Sequence, residues 1–578
     1  VLAGLLAPPG ASANEAEPAP AAVGVFEAED GTLQGVTVGS SASGYSGTGY
    51  VEGFDEDGDR VDITIPDSPG GLYELTVHYR GPYGQKNAQL QLNGAGLGEV
   101  TLPETTEFST VPAGKILLEE GDNTVSVLNG WGWYELDAIA LAPVAPRPPH
   151  RVSGEPVDPD ATEEARELLR LLTDHYGEVI LSGQQGMASI EWLEDTIGRA
   201  PAVAGLDMMD YSPSRVERGT SSQEVENALA WDARGGISTF VWHWNAPSGL
   251  IDEPGREWWR GFYTDATTFD VEAALADTGS EDYRLLVRDI DAIAAELLRL
   301  QDAGVPVLWR PLHEAEGGWF WWGAKGAEPA KELWRLMYDR MVGHHGLHNL
   351  LWVWNSVSPD WYPGDDVVDI VSADSYPPRG DYGPVSATYE KLVELGRDRK
   401  LVALTEVGPI PDPDLLEAYE ADWSWFVTWE GDFITDGEWN SRGHLEHVYH
   451  HERVITLDEL DELRDGGKGG CTVGYRVDGD WGSGFLGSIE ITNLGDPVES
   501  WELGFAFPAG QSVAHGWNGS WSRTGDRVTV SDAGWNGRLG TGESAVIGFI
   551  GFIGGYSGAN PAPQDFTLNG AACAAATS

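Results

Sequence analysis

The chain has 578 residues, of which 41% are apolar and 22% charged, so it is too long for one core and reads as several ordinary globular domains. Its 92 acidic residues outnumber its 35 basic ones to give a formal charge of −57, a field that repels phosphate backbones and anionic lipids and excludes nucleic acid and membrane surfaces as partners. The 25 Trp, 19 Tyr and 75 Gly point instead to flat apolar platforms and many turns, which suits uncharged sugars whose ring faces stack on aromatic rings.

Residues 1–13 read as the remnant of a secretory signal peptide, with Ala11-Ser12-Ala13 as the small-residue cleavage site, so a secreted, extracellular protein is expected. Residues 23–143 carry short alternating strands broken by Gly, Asn and Asp, the pattern of a β-sandwich. Within them, Trp131 and Trp133 in a Gly-rich loop are candidate sugar contacts. Asp55, Asp57 and Asp59 imitate the start of an EF-hand loop, but Arg60 and Pro66 replace its Gly and its bidentate Glu. The Pro-rich stretch 144–160 reads as a linker.

Residues 161–462 hold eight short apolar runs, at 178–182, 202–206, 237–242, 305–310, 350–354, 367–373, 401–405 and 424–429. Most are separated by helical patterns such as Thr162–His175, Tyr283–Leu300, Ala330–Val342 and Ala387–Asp398. Eight β-α repeats in about 300 residues predict a (β/α)8 TIM barrel, whose active site lies at the carboxyl ends of its strands. Glu314 then follows strand four, behind Val-Leu-Trp-Arg-Pro-Leu-His, and Glu406 ends strand seven. Two carboxyls at strand ends among tryptophans suit glycosidic cleavage, in which one donates a proton and the other attacks the sugar. His313-Glu314 does not continue into a zinc-protease motif, since Gly317 stands where the second His would be. His344, His345, His444, His447, His450 and His451 fall on helical or loop stretches, are expected to face solvent and receive no role.

Gly-rich residues 463–470 read as a second linker, and 471–573 as a second β-sandwich. The only cysteines, Cys471 and Cys573, bracket this last segment and predict one disulfide closing it in an oxidising compartment.

The middle segment resembles glycoside hydrolase family 26, most of whose members are endo-β-1,4-mannanases. The matching stretches are Trp309–Glu314, Gly318–Gly323, Trp242–Asn245, Asp374–Tyr376, Thr405-Glu406 and Trp425–Trp429. By that resemblance Glu314 is the acid/base and Glu406 the nucleophile of a retaining mechanism needing no cofactor. His313 would contact the sugar near its 2-hydroxyl and the nucleophile, and Tyr376 would hydrogen-bond the nucleophile. Arg310, His243, Trp319, Asp374 and Trp429 would bind substrate. The first segment, with Val25–Glu29, Ser43–Tyr50 and Trp131–Leu141, resembles carbohydrate-binding module family 35, which implies a structural calcium ion with Glu27, Glu29 and Asp137 as its ligands. The last resembles carbohydrate-binding module family 2, which implies a cellulose-binding platform of Trp481, Trp517 and Trp535, while Trp501 in an alternating strand reads as core.

The expected protein is a monomeric, secreted endo-β-1,4-mannanase acting on mannan, glucomannan or galactomannan and tethered to cellulose. Two alternatives stay open: the same enzyme acting on β-1,3-xylan or mixed-linkage β-glucan, and a non-catalytic wall-binding scaffold, against which the presence of both glutamates argues.

Overall fold

A computed structural model describes residues 24–145, 147–467, 471–482, 484–494, 497–508, 510–524, 527–552, 561–569 and 571–575. The signal-peptide remnant at 1–13 lies outside them.

The central segment is a closed barrel of eight parallel strands: β1 (Gly183–Gln185), β2 (Val203–Asp207), β3 (Ile237–Val241), β4 (Val307–Arg310), β5 (Leu350–Asn355), β6 (Ile370–Ser375), β7 (Leu401–Val407) and β8 (Phe426–Thr428). Alternation along each strand divides the side chains into two populations. Leu308, Leu351, Val353, Ile370, Leu401 and Ala403 form an inner cluster, closed off by Leu168, Leu169 and Leu172 of helix α1 (Glu163–Asp174). That helix starts where Thr162 Oγ1 accepts the Ala165 N–H, and its buried leucines recur at three- and four-residue spacing. Val307, Trp309, Trp352, Trp354, Val371 and Val402 belong to a second cluster with the helices α2 (Glu281–Asp302) and α3 (Ala327–Tyr338). Trp309, Trp334, Trp352 and Trp354 are all fully buried there, each contributing about 2–3 kcal/mol of apolar burial.

Seven of the eight strands overlap the predicted runs, and the first does not. Ile180 and Leu181, in the apolar run 178–182, pair with Val454 and Ile455 beside the barrel, while the true first strand is Gly183-Gln184-Gln185. Polar side chains line this strand, so hydrophobicity could not find it.

The flanking modules are all-β. In the first, nine strands join one hydrogen-bonded sheet, because two strands much longer than expected, Arg60–Gly81 and Thr105–Trp131, run past one another through three register shifts. The last is two five-stranded sheets enclosing Phe485, Ile489, Trp501, Phe505 and Phe549, and the Cys471–Cys573 disulfide closes it.

Both expected linkers are more structured than their composition suggests. Residues 463–467 continue helix α7 (Leu460–Gly467). The stretch 147–158 is a strap docked on the barrel: Arg147 pairs with Glu390, Ser153 N–H donates to Arg399 O and Val157 N–H donates to Asp369 Oδ1. His150 lies between Asp398 and Asp422, 2.6 and 3.3 Å away. Those two carboxylates outweigh its burial and raise its pKa. The first module also meets helix α4 (Ser386–Gly396) directly, through Lys115 to Glu390 at 2.6 Å, and its Leu117 N–H donates to Tyr419 Oη.

Candidate active site

At the carboxyl ends of the strands the inward row turns from apolar to polar. Leu308 is followed inward by Arg310, Val353 by Asn355, Ile370 by Ser372 and Asp374, and Ala403 by Thr405. Strict alternation would send Glu406 outward. A register shift between β6 and β7 and another between β7 and β8 break the alternation, so that Thr405 and Glu406 both reach the mouth.

Arg310 is the hub. Its buried guanidinium donates to Asp374 Oδ2 at 2.7 Å and to Glu406 Oε2 at 2.8 Å. Burial opposes its charge, but Asp374 and Glu406 more than compensate and keep it cationic. Tyr376 Oη donates to the other Glu406 oxygen at 2.5 Å. Asn355 and Thr405 donate to Asp374 Oδ1, and Asn355 Oδ1 accepts the Glu314 N–H at 2.8 Å.

Glu314 sits on a strained turn. Leu312 and Glu314 both have φ near +52°, in the left-handed region that side-chain-bearing residues seldom adopt. Trp319 Nε1–H donates to its Oε2 at 2.9 Å. Burial and, next, the charge of Glu406 raise the Glu314 pKa, against the opposing Trp319 bond and Arg310. One carboxylate oxygen each from Glu314, Asp374 and Glu406 lie within 4.8 Å of one another. A cavity of about 210 Å³, lined by Glu314, Glu316, Trp319, Asn355 and Asp374 among others, opens beside them. The arrangement offers one carboxyl biased towards its protonated form next to one that accepts hydrogen bonds from a cation and a phenol.

The remaining expected contacts divide. Trp319 is half exposed at the mouth and Trp429 is partly exposed, with its ring 5.9 Å from that of His243. Arg310 and Asp374, expected to bind substrate, are both buried: Arg310 bonds Asp374 and Glu406, and Asp374 also lines the cavity. His243 is not free for a sugar: Nδ1–H donates to Asp207 Oδ2 at 2.7 Å and Nε2 faces His313 Nε2 at 3.2 Å. His313 faces His243 rather than Glu406, and burial, then His243 and Arg310, hold its pKa well below the ordinary range. Asn355 and Asp207 were not foreseen, although each is a polar residue ending an apolar strand, the signal that singled out Glu406. His444 is buried rather than solvent-facing, stacked 3.5 Å from Tyr382 with Nε2 on Ile410 O.

In the first module, the Ser46 hydroxyl lies 2.8 Å from Glu27 Oε2 and 3.1 Å from Asp137 Oδ2, and Glu29 Oε1 accepts from the Thr48 and Gly49 N–H groups. Glu29 Oε2 is buried with no partner. Burial, and after it the charge of Glu29, raises the pKa of Glu27 and Asp137 against the hydrogen bonds from Ser46. Glu27 and Asp137 meet at one hydroxyl and an oxygen of Glu29 is unsatisfied; hard oxygen donors of this kind are what calcium takes, so the residue types fit that ion. Trp131 and Trp133 are both well exposed; Gly132 between them abuts the Phe54 carbonyl so closely that a Cβ would lie 1.9 Å from its oxygen, which turns both indoles outward. In the last module Trp481, Trp517 and Trp535 are 54%, 39% and 75% exposed, whereas Trp501 is core.

Residues 157–459 match the model of glycosyl hydrolase family 26, 24–144 that of carbohydrate binding module family 35, and 471–573 that of a cellulose binding domain. A mannan endo-1,4-beta-mannosidase of Thermothelomyces thermophilus is 51% identical over 454 residues, covering 78% of this chain and 94% of that protein. An endoglucanase of Streptomyces lividans is 50% identical over 105 residues, 18% of this chain and 22% of its own. The crystal structure of a Podospora anserina GH26-CBM35 β-(1,4)-mannanase, 51% identical, covers 76% of this chain and 99% of its own with a TM-score of 0.59. A ruminal GH26 endo-β-1,4-mannanase, 28% identical, covers 77% and 99% with a TM-score of 0.62.

Proposed function

Since the chain belongs to glycosyl hydrolase family 26 and is a glycoside hydrolase, we propose that it is a retaining endo-β-1,4-mannanase with Glu406 as nucleophile and Glu314 as acid/base. The observation that carries this reading is the closeness of the carboxylates, within 4.8 Å. Retaining enzymes need about 5–5.5 Å, whereas an inverting pair stands about 6.5–9.5 Å apart to admit water.

Glu406, bonded by Arg310 and Tyr376, attacks the anomeric carbon while Glu314, its pKa raised by burial, gives its proton to the departing oxygen. Loss of the Glu406 negative charge in the glycosyl-enzyme removes the repulsion that raised the Glu314 pKa. The now ionised Glu314 then accepts a proton from the water that releases the sugar. Asp374 and Asn355 position Arg310 and the Glu314 backbone, and Asp207 orients His243 against His313.

Mannan as substrate rests on the names of the 51% identical relatives. In the same reading the protein is secreted, calcium sits at Glu27, Glu29 and Asp137, Trp131 and Trp133 contact sugar, and Trp481, Trp517 and Trp535 hold cellulose. No helix among the described residues is long and apolar enough to cross a membrane.

The test is product analysis on mannan, glucomannan, galactomannan, β-1,3-xylan and lichenan, combined with azide rescue. Glu314→Ala should yield the β-glycosyl azide and Glu406→Ala the azide of inverted configuration. Wild-type rates on mannan in both variants would refute the assignment. Each platform Trp→Ala change should weaken adsorption to microcrystalline cellulose by about one to two orders of magnitude, on a stacking scale of about 1–3 kcal/mol per ring borrowed from nucleobases. Hydrolysis of soluble mannan should not change.

A further inference from the structure

Beyond β7 the loop that follows Glu406 runs over the rim and starts helix α5 (Pro413–Ala418) against helix α6 (Arg442–Tyr449). Asp412 caps α5, its Oδ1 accepting the Asp414 N–H at 2.9 Å. From α6, His447 Nε2 reaches into the gap and lies 3.3 Å from Asp412 Oδ1 and 3.3 Å from Asp414 Oδ2. An imidazole nitrogen carries at most one proton, which two oxygens at equal range can only share. Both separations also exceed the ~2.7–2.9 Å of a charge-assisted N–H···O bond.

The same spacing matches a different object. Four ligands about 2.0–2.1 Å from a tetrahedral zinc ion stand about 3.3–3.4 Å from one another. His451 completes the pattern from outside: its Nδ1 accepts the Arg453 N–H, so Nε2 carries the proton and donates to Asp414 Oδ1 at 3.2 Å, leaving Oδ2 turned to His447. A hydrogen bond of this kind to a ligating carboxylate fixes its orientation.

We propose that Asp412, Asp414 and His447 form a site for a first-row divalent metal, with Zn²⁺ the favoured ion and water in the fourth position. An imidazole in the set selects zinc over calcium and magnesium. The site joins the loop behind the nucleophile strand to α6, where Asn440 Oδ1 accepts the Ile410 N–H and His444 faces Ile410 O. Its role is structural, so occupancy raises thermal stability and leaves turnover unchanged. The proposal is independent of the substrate reading.

The experiment uses the full-length protein, stripped with chelator and then kept in excess calcium chloride so that zinc does not titrate the first module. Calorimetric titration with zinc chloride should reveal a micromolar site that magnesium chloride does not fill. His447→Gln and Asp414→Asn should each weaken it by at least about tenfold, and His451→Gln by about tenfold or more. The zinc-dependent rise in thermal midpoint should vanish in His447→Gln, whose midpoint without zinc should equal that of the zinc-free wild type and so report an intact fold. A crystal soaked in zinc chloride should give an anomalous peak between the three side chains. An unchanged isotherm in His447→Gln, binding at millimolar concentration only, or a peak confined to Glu314, Asp374 and Glu406 would overturn the proposal.

Discussion

Two clusters of three carboxylates sit in this chain, and they solve the same electrostatic problem in opposite ways. At the barrel mouth, Glu314, Asp374 and Glu406 surround a guanidinium that the chain itself supplies, Arg310, bonded to two of them. In the first module, Glu27, Glu29 and Asp137 receive hydrogen bonds from neutral donors, Ser46, Thr48 and Gly49, and one carboxylate oxygen is left buried without a partner. A built-in cation fixes the charge balance whatever the solvent contains, which suits a site where the pKa of one carboxyl is raised beside another bonded to that cation. A cluster without one depends on a cation taken from solution. The difference is one residue type in one place, and on the reading proposed above it separates chemistry from calcium binding.

The largest effect should come from the mouth itself. Glu406→Ala should lower turnover by about four to six orders of magnitude, and Glu314→Ala by about two to four on substrates whose leaving group needs a proton, measured as kcat on mannan and on an activated aryl mannoside. Arg310→Met tests the built-in cation: it leaves two carboxylates buried and uncompensated, and should cost about 3–5 kcal/mol by denaturant unfolding of the barrel. An Arg310→Met variant as stable as the wild type would erase the contrast between the two clusters.

Chelation tests the other side. Removing calcium should lower the stability of the first module by about 2–4 kcal/mol relative to a calcium concentration of 100 to 1,000 times Kd, with the barrel transition unmoved. Without calcium, the raised pKa values of Glu27 and Asp137 set the sign of the pH dependence. Their contribution is full below the ordinary carboxylate range and is lost as pH rises through the raised values, so the stripped module should weaken from pH 4 to pH 7. With calcium bound that fall should disappear. A module whose melting ignores both chelator and pH would remove calcium from the reading.

A smaller effect concerns tuning. Burial and Glu406 raise the Glu314 pKa, and the Trp319 indole N–H opposes them. Trp319→Phe deletes that donor, which favours the protonated form, so the basic limb of kcat/KM should move to higher pH, read from the pH–rate profile of the variant beside the wild type. The smallest is salt: screening within about 8–10 Å should raise the thermal midpoint of this strongly acidic chain, through its exposed carboxylates rather than through the buried Arg310 cluster.

The barrel and both glutamates were legible because each closes an apolar run, and apolar runs are what a buried parallel strand writes into a sequence. Gly183-Gln184-Gln185 was illegible for the converse reason, as a barrel strand with polar side chains beside an apolar decoy at Ile180-Leu181. The family-like stretches Trp309–Glu314, Trp242–Asn245 and Asp374–Tyr376 singled out Arg310, His243 and Asp374 but did not show that their side chains bond to other protein groups. Those bonds run to neighbours 64 and 96 residues away for Arg310, at Asp374 and Glu406. Composition misjudged the strap for a related reason. Proline and glycine content reports what a segment does alone, and His150 is placed by Asp398 and Asp422.

The docked strap alters what the first module can do for the enzyme. A flexible tether would let that module sample a volume around the cleft and deliver substrate at an effective concentration set by its length. Held by Arg147, His150 and Val157 on one side and by Lys115 and Leu117 on the other, the module instead fixes one offset and one direction between its exposed indoles and the catalytic mouth. A polymer gripped there meets the cleft only when its own path matches that offset. With the sugar contacts proposed for Trp131 and Trp133, the module would act as a ruler for chain geometry, favouring straight segments of a given span over coiled or crowded ones.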